Sequence, residues 1–223
     1  MRNLRLTEAA VDNNSQSTAF GLLAQEMHGG LVSNMTLEGE VNITFAGEAQ
    51  DVGGLIGQIS AGEINTVTSM VKITYTHAGA ASSMGGIVGH IAEPSEDANV
   101  NDKDKIVNLY YNSNYGPITG QQKARAVGGV VGSFASNRTS KVTIDHCFNG
   151  SSVLAGYSGT NANDVEYHAG GILGFIEGEN SYAEITNCYN AGIIKAGNKS
   201  HTDMAYAAGI VAHSSNLDRF RRQ

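Results

Sequence analysis

The chain has 223 residues, a formal net charge of −7 and a pI near 5.4, which sets aside broad electrostatic attraction to nucleic acid or an anionic membrane. Glycine rises to 28 residues while proline falls to 2 and tryptophan to none, so glycine must supply the tight turns. The glycines have no three-residue period, which excludes collagen, and no run of 18 apolar residues suits a membrane-spanning helix.

The opening MRNLRLTEAAVDNN lacks the apolar stretch of a signal peptide, so an exported protein would be represented here by a mature or excised piece. Residues 1–19 are read as a leader or N-terminal cap. From residue 20 a phrase then recurs: AFGLLAQE at Ala19, VGGLIGQI at Val52, MGGIVGHI at Met84, VGGVVGSF at Val127, AGGILGFI at Ala169 and AAGIVAHS at Ala207. Its second positions, 20, 53, 85, 128, 170 and 208, are spaced by 33, 32, 43, 42 and 38 residues, a repeat with variable loops.

A second phrase follows each copy, from LVSNMTLEGEVNI at Leu31 through EINTVTSMVKI at Glu63, IVNLYYNSNYGPI at Ile106 and TIDHCFNGSSVL at Thr143 to EITNCYNAGII at Glu184. Aligned, Val32, Ile64, Val107, Ile144 and Ile185 share a column. Tyr111, Phe148 and Tyr189 share a second, with Thr36 and Thr68 replacing the aromatic, and Asn112, Asn149 and Asn190 a third. Short β-branched runs between Gly, Asn and Ser turns, with no useful helical period, predict about three short strands per repeat. One such unit cannot bury its apolar face alone, so repeats must stack, like residue on like. The expected fold is all-β: a right-handed parallel β-solenoid of about five to six rungs with long inserted loops. Residues 20–215 form the single solenoid domain, and 216–223, with the basic cluster DRFRRQ, a C-terminal tail or cap. The third column is expected to form an amide ladder.

These motifs resemble the GLUG-motif repeat family, whose hallmark is GGLVG followed by a stretch like I-x-N-C-Y-N-x-G-x-V. Gly170 to Gly174 with Ile185 to Ile194, and Gly128 to Gly132 with Ile144 to Val153, match it best. The resemblance runs from about residue 52 to 212. It implies a repeat region of a bacterial surface or secreted protein, adhesin-like or a non-catalytic part of an immunoglobulin A-cleaving metallopeptidase, and hence an extracellular or cell-surface location.

No catalytic, cofactor-binding or metal residue is assigned. The glycine phrase is no phosphate loop, because Gly174 is followed by FIEG instead of Lys-Ser or Lys-Thr and no helix follows. Ser83 in ASSMG lacks the first glycine of a nucleophile elbow. The seven histidines, His90 and His213 among them, form no H-E-x-x-H pair and are read as satisfied or solvated polar groups. The carboxylate pairs Glu38/Glu40, Asp102/Asp104 and Glu177/Glu179 do not stack on consecutive repeats, against a catalytic groove. Asp97, Asn99 and Asn101 alternate like calcium ligands, but Asp102 and Asn108 stand where an EF-hand wants Gly and Glu. Cys147 and Cys188, 41 residues apart in one column, read as stacked buried thiols, with a disulfide as the alternative.

The chain is therefore expected to be a non-enzymatic adhesive stalk, spacer or binding scaffold without cofactors. Its partners would be a host protein, glycan or cell-surface component held by the inserts 92–105, 155–168 and 195–206, with neither nucleic acid nor membrane insertion. The alternative is an accessory or catalytic part of an extracellular enzyme, a carbohydrate-active β-helix or a peptidase-associated region. Phe175, which takes the place of Gln58, His90 and Ser133, is expected to be exposed and available for contact.

Overall fold

A computed structural model of the chain describes residues 1–13, 18–43, 51–76, 82–93, 106–121, 124–135, 141–156, 166–178, 181–197 and 204–215. Among these there is no helix, and the strands pair in parallel with their equivalents in neighbouring repeats: the fold is a parallel β-solenoid. The first strand of each coil belongs to a sheet ordered Ala19–Phe20, Asp51–Gly53, Ser82–Gly85, Ala124–Gly128, Tyr167–Gly170 and Ala205–Ala208. After the double-glycine turn the chain enters the larger sheet, where Val88–Ile91, Val131–Ala135, Leu173–Glu177 and Val211–Ser214 stack in register. The second phrase closes the coil: Val107–Tyr110, Lys141–Asp145 and Tyr182–Thr186 stack, followed by Ser113–Asn114, Phe148–Asn149 and Tyr189–Asn190.

Apolar positions in and after the turn fill the interior. Leu55, Ile87, Val130 and Ile172 are buried in one column, and Ile59, Ile91, Phe134 and Ile176 in another. At roughly 25 cal/mol per Å² of apolar surface, this column stacking supplies the main stabilisation, since no coil can bury its own apolar face.

The register corrects the alignment of the third repeat by two residues. Leu109, not Val107, pairs with both Ile64 and Ile144, and Ser113 and Asn114, not Tyr111 and Asn112, pair with Phe148 and Asn149. A two-residue slip leaves every side chain on its original face, so alternation alone does not detect it. In the corrected register Asn114 Nδ2 donates to Asn149 Oδ1 at 2.9 Å and Asn149 Nδ2 to Asn190 Oδ1 at 2.7 Å. The expected amide ladder therefore exists, with Asn114 as its third member. Asn112 occupies the column of Cys147 and Cys188 and does related work there. Its Oδ1 accepts from Val67 N–H at 3.0 Å and its Nδ2 donates to Ile64 O at 2.9 Å.

The ladder explains why the two phrases travel together. A Cβ added to Gly171 would lie 2.5 Å from Cγ of Asn190, and Gly129 and Gly86 abut Asn149 and Asn114 in the same way. The second glycine of the first phrase thus leaves room for the asparagine of the second.

Each coil also turns a corner on a residue with left-handed backbone. Asn34, Thr66, Tyr111, His146 and Asn187 have φ between 51° and 56°, and all stand two residues after the Val32–Ile64–Leu109–Ile144–Ile185 column. Asparagine tolerates this conformation, whereas a β-branched residue is strained in it. Thr66→Asn is accordingly expected to stabilise the chain by about 0.5–1 kcal/mol, read as a raised urea midpoint with unchanged slope.

Residues 2–13 of the expected leader form the strand Arg2–Asn13, which pairs in parallel with Ser33–Ile43 and covers Val32, Met35 and Leu37. At the other end the column residues Ile185, Cys188, Ile194 and Val211 are only half-buried. The tail 216–223 lies outside the described residues, as do 94–105, 157–165 and 198–203, the greater part of the three inserts.

Candidate functional site

Chemistry-bearing side chains converge along one seam of the solenoid, where the two strands flanking the double-glycine turn lie back to back. The third glycine of the phrase brings them together: a Cβ on Gly174 would sit 2.5 Å from Gly132 O and 2.8 Å from both N and O of Val127. The residue following that glycine and the residue preceding the glycine phrase therefore meet across the seam. One side carries Gln58, His90, Ser133, Phe175 and His213, the other Asp51, Ser83, Ala126, His168 and Tyr206.

The middle of the seam is a hydrogen-bonded chain. His90 Nδ1 lies 2.7 Å from Ser133 Oγ, Ser133 Oγ 2.6 Å from Ser83 Oγ, and Ser83 bonds to the Asp51 carboxylate, which Gln58 Nε2 approaches at 3.5 Å. Burial pushes the Asp51 carboxyl up to about 7, against the Ser83 bond, and pushes His90 down to about 4, against its bond with Ser133. Asp51 and His90 stand at opposite ends of the chain, so the carboxylate does not orient the imidazole toward a serine as a nucleophilic triad requires. Ser83 is a link in a proton-holding network.

Further along, the seam turns aromatic. The His168 ring is fully buried, stacked on Phe175 at 4.3 Å and on Tyr206 at 5.1 Å, with His213 edge-on at 5.1 Å. The Arg125 guanidinium covers the other ring of the pair, 5.1 Å from the Phe175 centroid. Burial, then the nearby His213 and Arg125, pushes His168 down to about 4. Two expectations are corrected here. Phe175 is 4% exposed, because His168 and Arg125 enclose a position that is polar in other coils. His168 is neither solvated nor conventionally satisfied: neither ring nitrogen has a hydrogen-bond partner among the described residues, and Glu166 Oε2 stands 3.5 Å from Nε2, beyond a good hydrogen bond.

These shifts each contribute to the pH dependence of folding. Asp51 has a folded value of about 7 against an ordinary 3.8, so its stabilisation is complete below 3.8 and lost as pH rises through 7. His90 and His168, at about 4 against 6.5, stabilise fully above 6.5 and lose that contribution as pH falls through 4. In Asp51→Asn, stability relative to the parent chain is expected to climb between about pH 4 and 7, with a slope approaching one proton, about 1.4 kcal/mol per pH unit. Urea titrations across that range check it; parallel curves for the two proteins would contradict it.

A second feature lies on the exposed corner of the coil. Tyr111 stacks on His146 at 4.8 Å, Tyr115 meets Phe148 at 5.4 Å, and Phe148 stacks on Tyr189 at 5.6 Å. Tyr111, Tyr115 and Tyr189 are 55%, 53% and 63% exposed, in two groups: the Tyr111–His146 pair and the Tyr115–Phe148–Tyr189 stack. Beside the pair Asp145 accepts from Thr186 at 2.7 Å, from Asn187 at 2.9 Å and from His146, and these bonds hold its carboxyl down at about 2.

Among the other candidates, Glu38 pairs with Arg5 at 2.8 Å and Glu40 with Lys72 at 3.4 Å, both at the surface. Glu177 is exposed; Glu179, Asp102, Asp104, Asp97, Asn99 and Asn101 lie outside the described residues. Among the described residues no three metal-ligating side chains cluster. The cysteines are free thiols, Cys147 buried and Cys188 half-buried. The seam was half-legible in sequence: the column at Gln58 was visible as polar, but its facing column was not. Its trace is the residue just before each glycine phrase, Asp51, Ser83, Ala126, His168 and Tyr206.

Compared with known proteins, the chain matches no family model, no curated protein and no solved structure.

Proposed function

We propose that this chain is a non-enzymatic repeat segment of a bacterial surface or secreted protein, a rigid β-solenoid that presents a binding surface. The observation that carries the reading is the pair of exposed ring groups, Tyr111 with His146 and Tyr115 with Phe148 and Tyr189, fixed on a backbone lattice. Exposed rings on a rigid support recognise partners at low entropic cost, because little side-chain freedom remains to be lost on binding. The motif resemblance supports the surface or secreted setting. The partner class is a host protein, a glycan or another cell-surface component.

The reading is tested by screening the chain against glycan panels and cell-surface extracts, with a Tyr111→Ala, Tyr115→Ala, Tyr189→Ala triple variant beside it. Binding that the triple variant weakens at least about tenfold while remaining folded is the expected result. Turnover of a polysaccharide or peptide panel by the purified chain would overturn it in favour of an enzyme.

A further inference from the structure

We propose that Cys147 and Cys188 form a reversible disulfide between adjacent coils when the protein meets a small-molecule disulfide, with Cys188 as the attacking sulfur. The two residues occupy equivalent positions three beyond the paired Ile144 and Ile185. In-register parallel neighbours are about 4.8 Å apart, inside the roughly 4.4–6.8 Å Cα window of a disulfide. Parallel Cβ vectors argue against such a bond, but the sulfur positions answer that objection. Cys188 Sγ reaches back onto the preceding coil, where it accepts from Cys147 N–H at 3.4 Å and donates to Ile144 O at 3.4 Å. It already lies against the Cys147 backbone. Cys147 Sγ also approaches Leu109 O at 3.6 Å and Asp145 O at 3.5 Å. Closing the bond costs the Cys147 thiol those two weak contacts.

The surroundings set the order of events. Bonds from the Cys147 thiol and N–H lower the Cys188 thiol, as does nearby His146, against burial and Asp145. Cys147 is pushed up by its bond to Cys188 and by burial. Cys188 is also the more exposed of the two. Its thiolate attacks one sulfur of the external disulfide, forming a mixed disulfide and expelling one small thiolate. Cys147 then gives up its proton, attacks the Cys188 sulfur and expels the second. Two protein thiols and one small disulfide become one protein disulfide and two small thiols. The product, with its near-parallel Cβ vectors, is a strained and readily reduced bond.

The test treats the reduced, folded chain with oxidised glutathione and maps its cysteines by mass spectrometry. The chain is expected to lose two hydrogens, with the Cys147 and Cys188 peptides cross-linked and dithiothreitol restoring both thiols. Cys147→Ser is expected to retain one glutathione on Cys188, whereas Cys188→Ser reacts at Cys147 about tenfold more slowly. Independently of how either variant folds, iodoacetamide labelling of the parent chain is expected to alkylate Cys188 about tenfold faster than Cys147. Glutathione on both cysteines without a cross-link, two unreacted thiols, or faster labelling of Cys147 would overturn the proposal.

Discussion

Gly174→Ala is expected to destabilise the chain by roughly 3–5 kcal/mol, enough to abolish folding if the parent stability is ordinary. The new methyl would meet Gly132 O and both N and O of Val127, all backbone atoms of neighbouring strands. A flexible side chain could swing aside; a strand carbonyl held in a parallel ladder cannot, short of separating the two sides of the coil. Gly209→Ala is the internal control, because a Cβ there meets nothing within 4 Å. It is expected to change stability by no more than about 0.5 kcal/mol. Urea unfolding followed by circular dichroism separates the two, and equal effects would mean that the glycines merely loosen the backbone.

The second large effect is expected at Asn149. This fully buried side chain accepts from Asn114 Nδ2 at 2.9 Å and Ser151 N at 3.4 Å, and donates to Ser151 O at 2.9 Å and Asn190 Oδ1 at 2.7 Å. Asn149→Leu removes all four bonds: Asn114 Nδ2 and Asn190 Oδ1 keep only Gly116 O and Gly192 N–H, and Ser151 loses both of its bonds to this side chain, at roughly 1–3 kcal/mol for each group left unsatisfied. The apolar replacement must also pack against Gly129, whose missing side chain accommodates the amide. A total loss of about 4 kcal/mol is expected, against about 1 kcal/mol for Asn190→Leu, which is half-exposed at the end of the ladder. Chemical denaturation of the two variants measures the difference.

The period of the glycine phrase reveals the solenoid because stacking forces equivalent residues into columns, and columns are what a repeat alignment displays. Where two registers share a face, the alignment loses its power. YYNSNYG offers two asparagines two residues apart, and the choice falls to contacts that no alignment contains: Asn114 faces Gly86, while Asn112 serves Val67 N–H and Ile64 O. Phe175 illustrates the same limit. Its column is polar elsewhere, and only the facing His168 and Arg125 make burial possible. Thr66 shows a third case, since its left-handed backbone follows from its place at the corner and not from its residue type. The seam lay hidden because its two sides come from opposite ends of the glycine phrase.

The most direct test of the stacked register is a nuclear Overhauser measurement on chain labelled with ¹⁵N at asparagine side chains. Cross-peaks linking the amide protons of Asn114 to those of Asn149, and Asn149 to Asn190, are the expected result. Cross-peaks between Asn112 and Asn149, or contacts between successive strands typical of antiparallel hairpins, would contradict the parallel coil described above.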